Sequence, residues 1–460
     1  MFYNRDEELS LLNERYANLS AGELIVIYGR RRVGKTELMR KFINTIEKSL
    51  YLYIDYASPL EVLDIISNDI SRQSGDFVRF RDWDTFYSYI SSRGGVVVID
   101  EFQRLFEIDK KAVTRLQRIW DLELKDKPLM LVLVGSSIGM MRNAALSGTA
   151  PLYGRVTSTI KLQPLDYRSF RHFFSGMDEV KKAQLYAIFG GTLYYLEFVK
   201  KYETEDIRTI IHETVLKKGA PLQNEPLNLL HMELTEIARY NSILSAISSG
   251  KHTFKEISDY SGIETSNISY YIDNLSKLLE LTVAADPVGG KKKSGRYAIK
   301  DNFFRFWYRF IFKNHAALEV STTDKVMDII MEHLNNYLAF AFEDIARELL
   351  VHYNGRTIKG HSIKFSTIGA WWNRTGDEID ICASGDGKMY LGKVKWTNRQ
   401  VGCNVARQLV KKSEMVRGSG ERIFMLVSRT GFTDKCIRYM DENEWIYLEL
   451  KDITALFQES

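Results

Sequence analysis

One stretch limits the fold of this chain more than any other, GELIVIYGRRRVGKTELMRKF, running from Gly22 to Phe42. Leu24 to Tyr28 form an unbroken apolar run of strand length. They lead into Gly29-x-x-x-x-Gly34-Lys35-Thr36, and a helical pattern of apolar residues begins at once. Backbone N–H groups can curl around an anion only where glycines permit close approach and unusual backbone angles, and Gly29 and Gly34 give that freedom. The expected ligand-binding set is Gly29, Arg30, Arg31, Arg32, Val33, Gly34, Lys35, Thr36 and Glu37. Lys35 would reach the β and γ phosphates of a triphosphate, Thr36 would place its hydroxyl on Mg²⁺, and the new helix would aim its positive end at the anion. The ligands expected are ATP and Mg²⁺.

Such a site needs carboxylates, and GGVVVIDEFQRL supplies two. Val96 to Ile99 read as a buried strand. Asp100 at its end is the expected metal partner beside Thr36, and Glu101 the base that positions water. A further apolar run, Leu129 to Val134, ends in Gly135-Ser136-Ser137, where Ser136 could touch the γ-phosphate or the water. In PLYGR, Arg155 reads as a contact to the γ-phosphate or a finger to a neighbouring subunit; a salt-bridged surface arginine is the plain alternative.

With 460 residues the chain should hold two to four domains. Its 63 basic and 59 acidic residues leave a net charge of +4, too mild to announce nucleic acid without a local basic surface. Cys382, Cys403 and Cys436 are neither even in number nor spaced as metal ligands, which suits a reducing cytoplasm. No run approaches the length of a membrane span, and the N-terminus lacks the apolar core of a signal peptide. The aromatic run Phe303 to Phe312, interrupted by Arg305 and Arg309, reads as packing between domains.

Along the chain, residues 1–170 alternate strands (Leu24–Tyr28, Leu50–Tyr53, Val96–Ile99, Leu129–Val134, Thr159–Leu162) with helices and predict a mainly parallel sheet. Residues 171–232 turn helical. Residues 233–312 read as a winged helix-turn-helix: helices at Thr235–Ser249, Phe254–Tyr260 and Thr265–Leu279, then a hairpin with Lys291, Lys292 and Lys293 at its tip. On duplex DNA, Ser266, Asn267, Tyr270 and Tyr271 would face the groove, and the wing lysines and Arg296 would meet phosphates. Glu264, Asp273 and Glu280 oppose that use, and a clamp between domains is the other reading. Residues 313–460 hold a helix over Lys325–Leu350 carrying Glu343, a strand with Asp380, a strand with Lys393-Val394-Lys395 and a helix at Asn404–Arg417. Residues 393 and 395 share one face of their strand by its period of two.

These motifs carry two resemblances. Helix, Asp380 strand and Lys395 strand look like the core of the PD-(D/E)XK nuclease superfamily, which implies a second metal site of Glu343, Asp380 and Lys395. Lys393 stands where that pattern has a carboxylate, so a hard cation loses an oxygen ligand and meets an ammonium instead. Unless Asp377 or Glu378 substitutes, the domain would bind rather than cut. As a whole, FYNRDEEL, GRRRVGKT, IDEFQRL, GSS, PLYGR, YAIKDNFFRFWYRFI and GDEIDI…GKVKW resemble an archaeal and bacterial ATPase family joining a STAND/AAA+ domain to a nuclease-like C-terminal domain. The resemblance implies a P-loop parallel sheet, a helical lid, a winged helix and a C-terminal α/β body of restriction-endonuclease type. It also implies an ATP-hydrolysing switch, with a nucleotide-gated DNA-binding protein or an ATP-regulated metal-dependent nuclease as alternatives. A protein partner or self-association is consistent with it. In Gly190-Gly191-Thr192-Leu193, Leu193 stands where many relatives carry the proline of an element coupling nucleotide state to the lid.

Overall fold

The computed structural model describes residues 5–290, 295–319, 323–418 and 420–458. The wing lysines Lys291, Lys292 and Lys293 lie outside the described residues. The chain divides into two compact units: residues 1–165 with 192–194 and 277–279, and the remainder.

The first unit is a five-stranded parallel sheet. Its strands are β1 (Glu23–Tyr28), β2 (Ser49–Tyr53), β3 (Gly95–Asp100), β4 (Leu129–Gly135) and β5 (Ser158–Lys161), in the order β2-β3-β4-β1-β5. Alternate residues of β1 feed opposite faces: Leu24 and Val26 enter one apolar cluster, Ile25 and Ile27 another. A sheet covered on both faces needs continuous apolar strands, and every residue of β4 is buried. The expected five strands are therefore present, within a residue or two at each end. Helices return the chain between strands; Pro59–Ser74, for example, starts with Ser58 accepting from Glu61 N and Pro59 in its first turn.

The order of strands decides what meets at their C-terminal ends. β4 lies between β1 and β3, so Ser136, just beyond β4, falls between the glycine loop after β1 and the acidic pair after β3.

In the second unit, helices Ile237–Ser248, Phe254–Ser261 and Thr265–Asp273 are followed by the antiparallel pair β6 (Thr282–Ala285) and β7 (Arg296–Ile299). Thr253 and Glu256 close a capping box on the middle helix, and Gly262 stops it in the left-handed region at φ 69°. The third helix is shorter than expected: it turns π-helical at Asn274–Leu278. Thr323–His352 is a helix of 30 residues. Beyond a short hairpin, β8 (Thr357–Ile358) with β9 (His361–Ser362), comes a sheet of β10 (Thr367–Trp372), β11 (Glu378–Gly385), β12 (Lys388–Lys395), β13 (Glu421–Ser428) and β14 (Ile446–Glu449) in that order. β10, β11 and β12 pair antiparallel, β12, β13 and β14 parallel. Asp386-Gly387 joins β11 to β12 with both residues at positive φ, the two-residue turn that matches strand twist. The long helix lies against β10, β11 and β12. No helix among the described residues is long and apolar enough to cross a membrane.

Candidate nucleotide site and a second charged cluster

The loop after β1 is built by close approach. A Cβ on Gly29 would stand 2.2 Å from the Leu162 carbonyl oxygen, so only glycine lets the loop leave the sheet beside β5. Gly34 has φ 97°, ahead of helix Lys35–Ile43. Lys35 is 6% exposed, and its Nζ donates to the carbonyls of Gly29 and Arg30 at 2.8 Å each, holding the loop curled around its own ammonium. Val33 and Arg30 are buried, Arg31 and Arg32 half-buried, Thr36 and Glu37 exposed. Leu193 and Tyr194 cover this loop. The Leu193 Cδ1 lies 2.7 Å from where a Gly34 Cβ would be, and the Arg32 guanidinium stacks 4.0 Å from the Tyr194 ring centre. Leu193, in the place of the expected proline, thus touches the P-loop.

Thr36 Oγ1 donates to Asp100 Oδ2 at 3.1 Å, so the two residues expected at the metal lie side by side. Asp100 is buried, its Oδ1 takes the Glu101 N–H at 2.8 Å, and Oδ2 also accepts from the Tyr51 hydroxyl. Burial and the neighbouring Asp100 push the Tyr51 phenol far above its ordinary range, so it remains a donor. Thr36 and Asp100 offer adjacent hard oxygens beside the loop amides, a donor set that fits a magnesium ion sharing phosphate oxygens.

Glu101 sits in the left-handed region at φ 55°. Its Oε2 accepts from Gln103 Nε2 at 2.6 Å and Ser136 Oγ at 2.9 Å, with Arg104 Nε 3.6 Å away. Gln103 also donates to Ser136 Oγ at 3.2 Å. Sequence reasoning found Glu101 and Ser136 but missed Tyr51, Gln103 and Arg104. The motif spelling IDEFQR contained two of them; Tyr51 could be found only once β2 was known to flank β3.

Arg155 is held elsewhere. It forks onto Asp121 with bonds of 2.8 and 2.6 Å and donates to the carbonyls of Pro151 and Tyr153, the salt-bridged alternative. That fork keeps the Asp121 carboxyl below its ordinary value.

The sheet of the second unit gathers Glu343, Asp380, Lys393 and Lys395. Asp380 is 4% exposed; Lys393 Nζ donates to its Oδ1 at 2.5 Å and Val394 N to its Oδ2 at 2.8 Å. Burial, and then the Asp380 charge, push the Glu343 carboxyl up to about 8. Burial, and then Lys393, lower Lys395. The substitutes are committed elsewhere: Glu378 pairs with Arg296, and Asp377 with Asn373 and, at 3.5 Å, Lys412. Among the described residues no group of three or more His, Cys, Asp or Glu could hold a metal ion. Glu343, Asp380 and Lys395, the expected second metal site, thus share their cluster with the Lys393 ammonium, which holds Asp380 Oδ1.

Of the four groove-facing candidates, Ser266, Asn267 and Tyr270 are exposed. Tyr271 is not. It is 3% exposed under Tyr240 and its hydroxyl donates to Glu236, because neighbours on a helix point about 100° apart and cannot share one face. Arg296 lies over the Trp372 ring and against Glu378.

A glycine loop closing on a buried lysine, a Thr–Asp pair beside it and an acidic pair across an intervening strand define a P-loop ATPase domain. Residues 2–199 match an ATPase domain found predominantly in Archaea, and 307–409 match archaeal and bacterial proteins of unknown function. An uncharacterized protein of Methanocaldococcus jannaschii is 34% identical over 436 residues, covering 90% of this chain and 92% of its own, and the chain belongs to that protein's family of archaeal ATPase-domain proteins. An uncharacterized ATP-binding protein of the same organism is 58% identical over 43 residues, 9% of this chain and 71% of its own. A Walker-type ATPase of Pyrococcus abyssi shares the fold with a TM-score of 0.53 at 20% identity, covering 67% of this chain and 96% of its own.

Proposed function

We propose that the protein is an ATP-hydrolysing molecular switch of the STAND/AAA+ kind. The observation that carries this reading is the set Thr36, Asp100, Glu101 and Ser136, drawn from three strand ends and joined by hydrogen bonds, beside Lys35 buried in its loop. Lys35 would leave the Gly29 and Arg30 carbonyls for the β and γ phosphates. Thr36 and Asp100 would hold Mg²⁺, which supplies charge neutralisation at the phosphates. Glu101 would take the proton of the attacking water once its carboxylate leaves Ser136 and Gln103, and Ser136 would then turn to the γ-phosphate or water. Arg155 would serve a neighbouring subunit only after releasing Asp121. Leu193 and Tyr194, which lie against the loop, would report on its shape. The division into core (1–170), lid (171–232), winged helix (233–312) and nuclease-like body (313–460) is part of this proposal, as is a cytoplasmic setting. In the last body the Lys393–Asp380 pair supports binding rather than cleavage.

ATP binding and steady-state hydrolysis by the full chain test the reading. Lys35→Ala should remove both, and Glu101→Gln should keep binding while slowing turnover by about 100-fold or more. Ordinary turnover in both variants would rule it out. The exposed Ser266, Asn267 and Tyr270 favour a second reading, in which nucleotide gates a grip on duplex DNA. It calls for salt-sensitive binding that weakens when Lys291, Lys292 and Lys293 are replaced together; affinity indifferent to that change would dismiss it.

A further inference from the structure

The second unit contains a cavity of about 490 Å³ whose wall is written into one helix. Along Thr323–His352 the residues facing it are His333, Asn336, Tyr337, Phe340, Glu343, Asp344 and Arg347, a stripe at helical spacing. Opposite stand the ends of helix Ile237–Ser248 and strand β7, while Arg305 and Arg309, four residues apart, close one end. The volume falls within the range of pockets that hold small molecules, about 300–1,000 Å³.

Two chemistries converge there. The first is cationic and fixed. Arg305 donates through Nε and Nη2 to the Ile299 carbonyl at 3.1 and 2.8 Å, and Arg309 uses Nη1 on the Ser248 carbonyl at 3.3 Å. Arg347 is braced by the Asp380 carbonyl at 2.5 Å and by Asp344 Oδ1 at 2.6 Å. A guanidinium carries five N–H donors; Arg305 Nη1 also faces Asp344 Oδ2 at 3.6 Å, whereas Arg309, exposed and anchored through Nη1, keeps donors for an anion. Against these three stand two carboxyls, Asp344 and Glu343, so the lining keeps a net positive charge. The second chemistry is aromatic. Tyr337 is clamped by its hydroxyl on the Ala187 and Asn302 carbonyls, with Phe310 packed on its ring at 5.5 Å. Phe340 is 60% exposed at the mouth, a large apolar ring left in water. Flat rings bind a nucleobase by stacking, and forked donors match a phosphate.

We propose that this cavity binds a nucleoside 5′-monophosphate unit, its base against Phe340 and its phosphate on Arg305, Arg309 and Arg347. The unit could be a free nucleotide or the phosphorylated end of a strand. The pocket would take it whether or not the P-loop turns over ATP.

Isothermal titration of the full chain carrying Lys35→Ala, which disables the P-loop, tests the assignment. The probes are deoxyadenosine 5′-monophosphate and a 5′-phosphorylated single-stranded oligonucleotide ending in the same nucleotide. Binding of either is expected, weakened about tenfold or more by Arg309→Ala and by Phe340→Ala, a loss of about 1.4 kcal/mol each. Both positions are exposed, so neither change should unfold the protein, and an unchanged melting temperature verifies this. Equal affinity for the two probes assigns the pocket to free nucleotide; a tighter oligonucleotide assigns it to strand ends. No binding of either probe at millimolar concentration would overturn the proposal, as would binding that both variants leave unchanged.

Discussion

Asp100 and Asp380 are both buried aspartates at β-strand positions with a backbone N–H donor, yet they are prepared for opposite uses. The neighbours of Asp100 are neutral hydroxyls, Thr36 and Tyr51, which orient its oxygens and leave its charge for a cation. Asp380 has an ammonium on one oxygen, so its charge is already spent inside the protein. A buried carboxylate partnered by neutral donors is a site in waiting; one partnered by lysine is a structural element, costly to break.

The sharpest way to break this contrast is to make the second region resemble the first. Lys393→Glu removes the internal cation and puts three carboxylates together. We expect a loss of about 3 kcal/mol without metal, and a melting temperature that Mn²⁺ raises in the variant but not in the wild type. A variant whose melting ignores Mn²⁺ would mean that Lys393 does not stand in a cation's place.

A smaller effect concerns protons. The folded Glu343 carboxyl, near 8, lies above its ordinary value of 4.5, so the folded state binds this proton more tightly than the unfolded chain. Its contribution is complete below about 4.5 and is lost as pH rises towards 8, at up to about 1.4 kcal/mol per pH unit. Glu343→Gln should flatten the fall in chemical-denaturation stability between those pH values. The slope from Glu348, also pushed up to about 8 by burial, should persist. An identical pH profile in the variant would refute the assignment. Smallest is Tyr51→Phe, which removes one donor from Asp100 and should cost about 1 kcal/mol in denaturant unfolding; no measurable change would show that Thr36 and the Glu101 amide suffice.

The same contrast explains what could be read from the residues alone. β1, β3 and β4 were legible because a strand buried on both faces is a continuous apolar run, and the P-loop because its glycines are required by backbone geometry at fixed spacing. Strand order was not, since no local pattern states that β4 lies between β1 and β3. The Tyr51–Asp100 bond and the triangle of Glu101, Gln103 and Ser136 depend on that order. Tyr271 was misplaced because adjacent helix positions were assigned to one face. The departure at Lys393 was visible, but its direct bond to Asp380 needed the register of β11 against β12.

Steady-state ATP hydrolysis by the wild type, Glu101→Gln and Asp380→Ala, measured side by side, tests the central claim most directly. The account predicts turnover in the wild type, a loss of about 100-fold or more in Glu101→Gln, and full activity in Asp380→Ala as long as it remains folded. Wild-type rates in Glu101→Gln would contradict it.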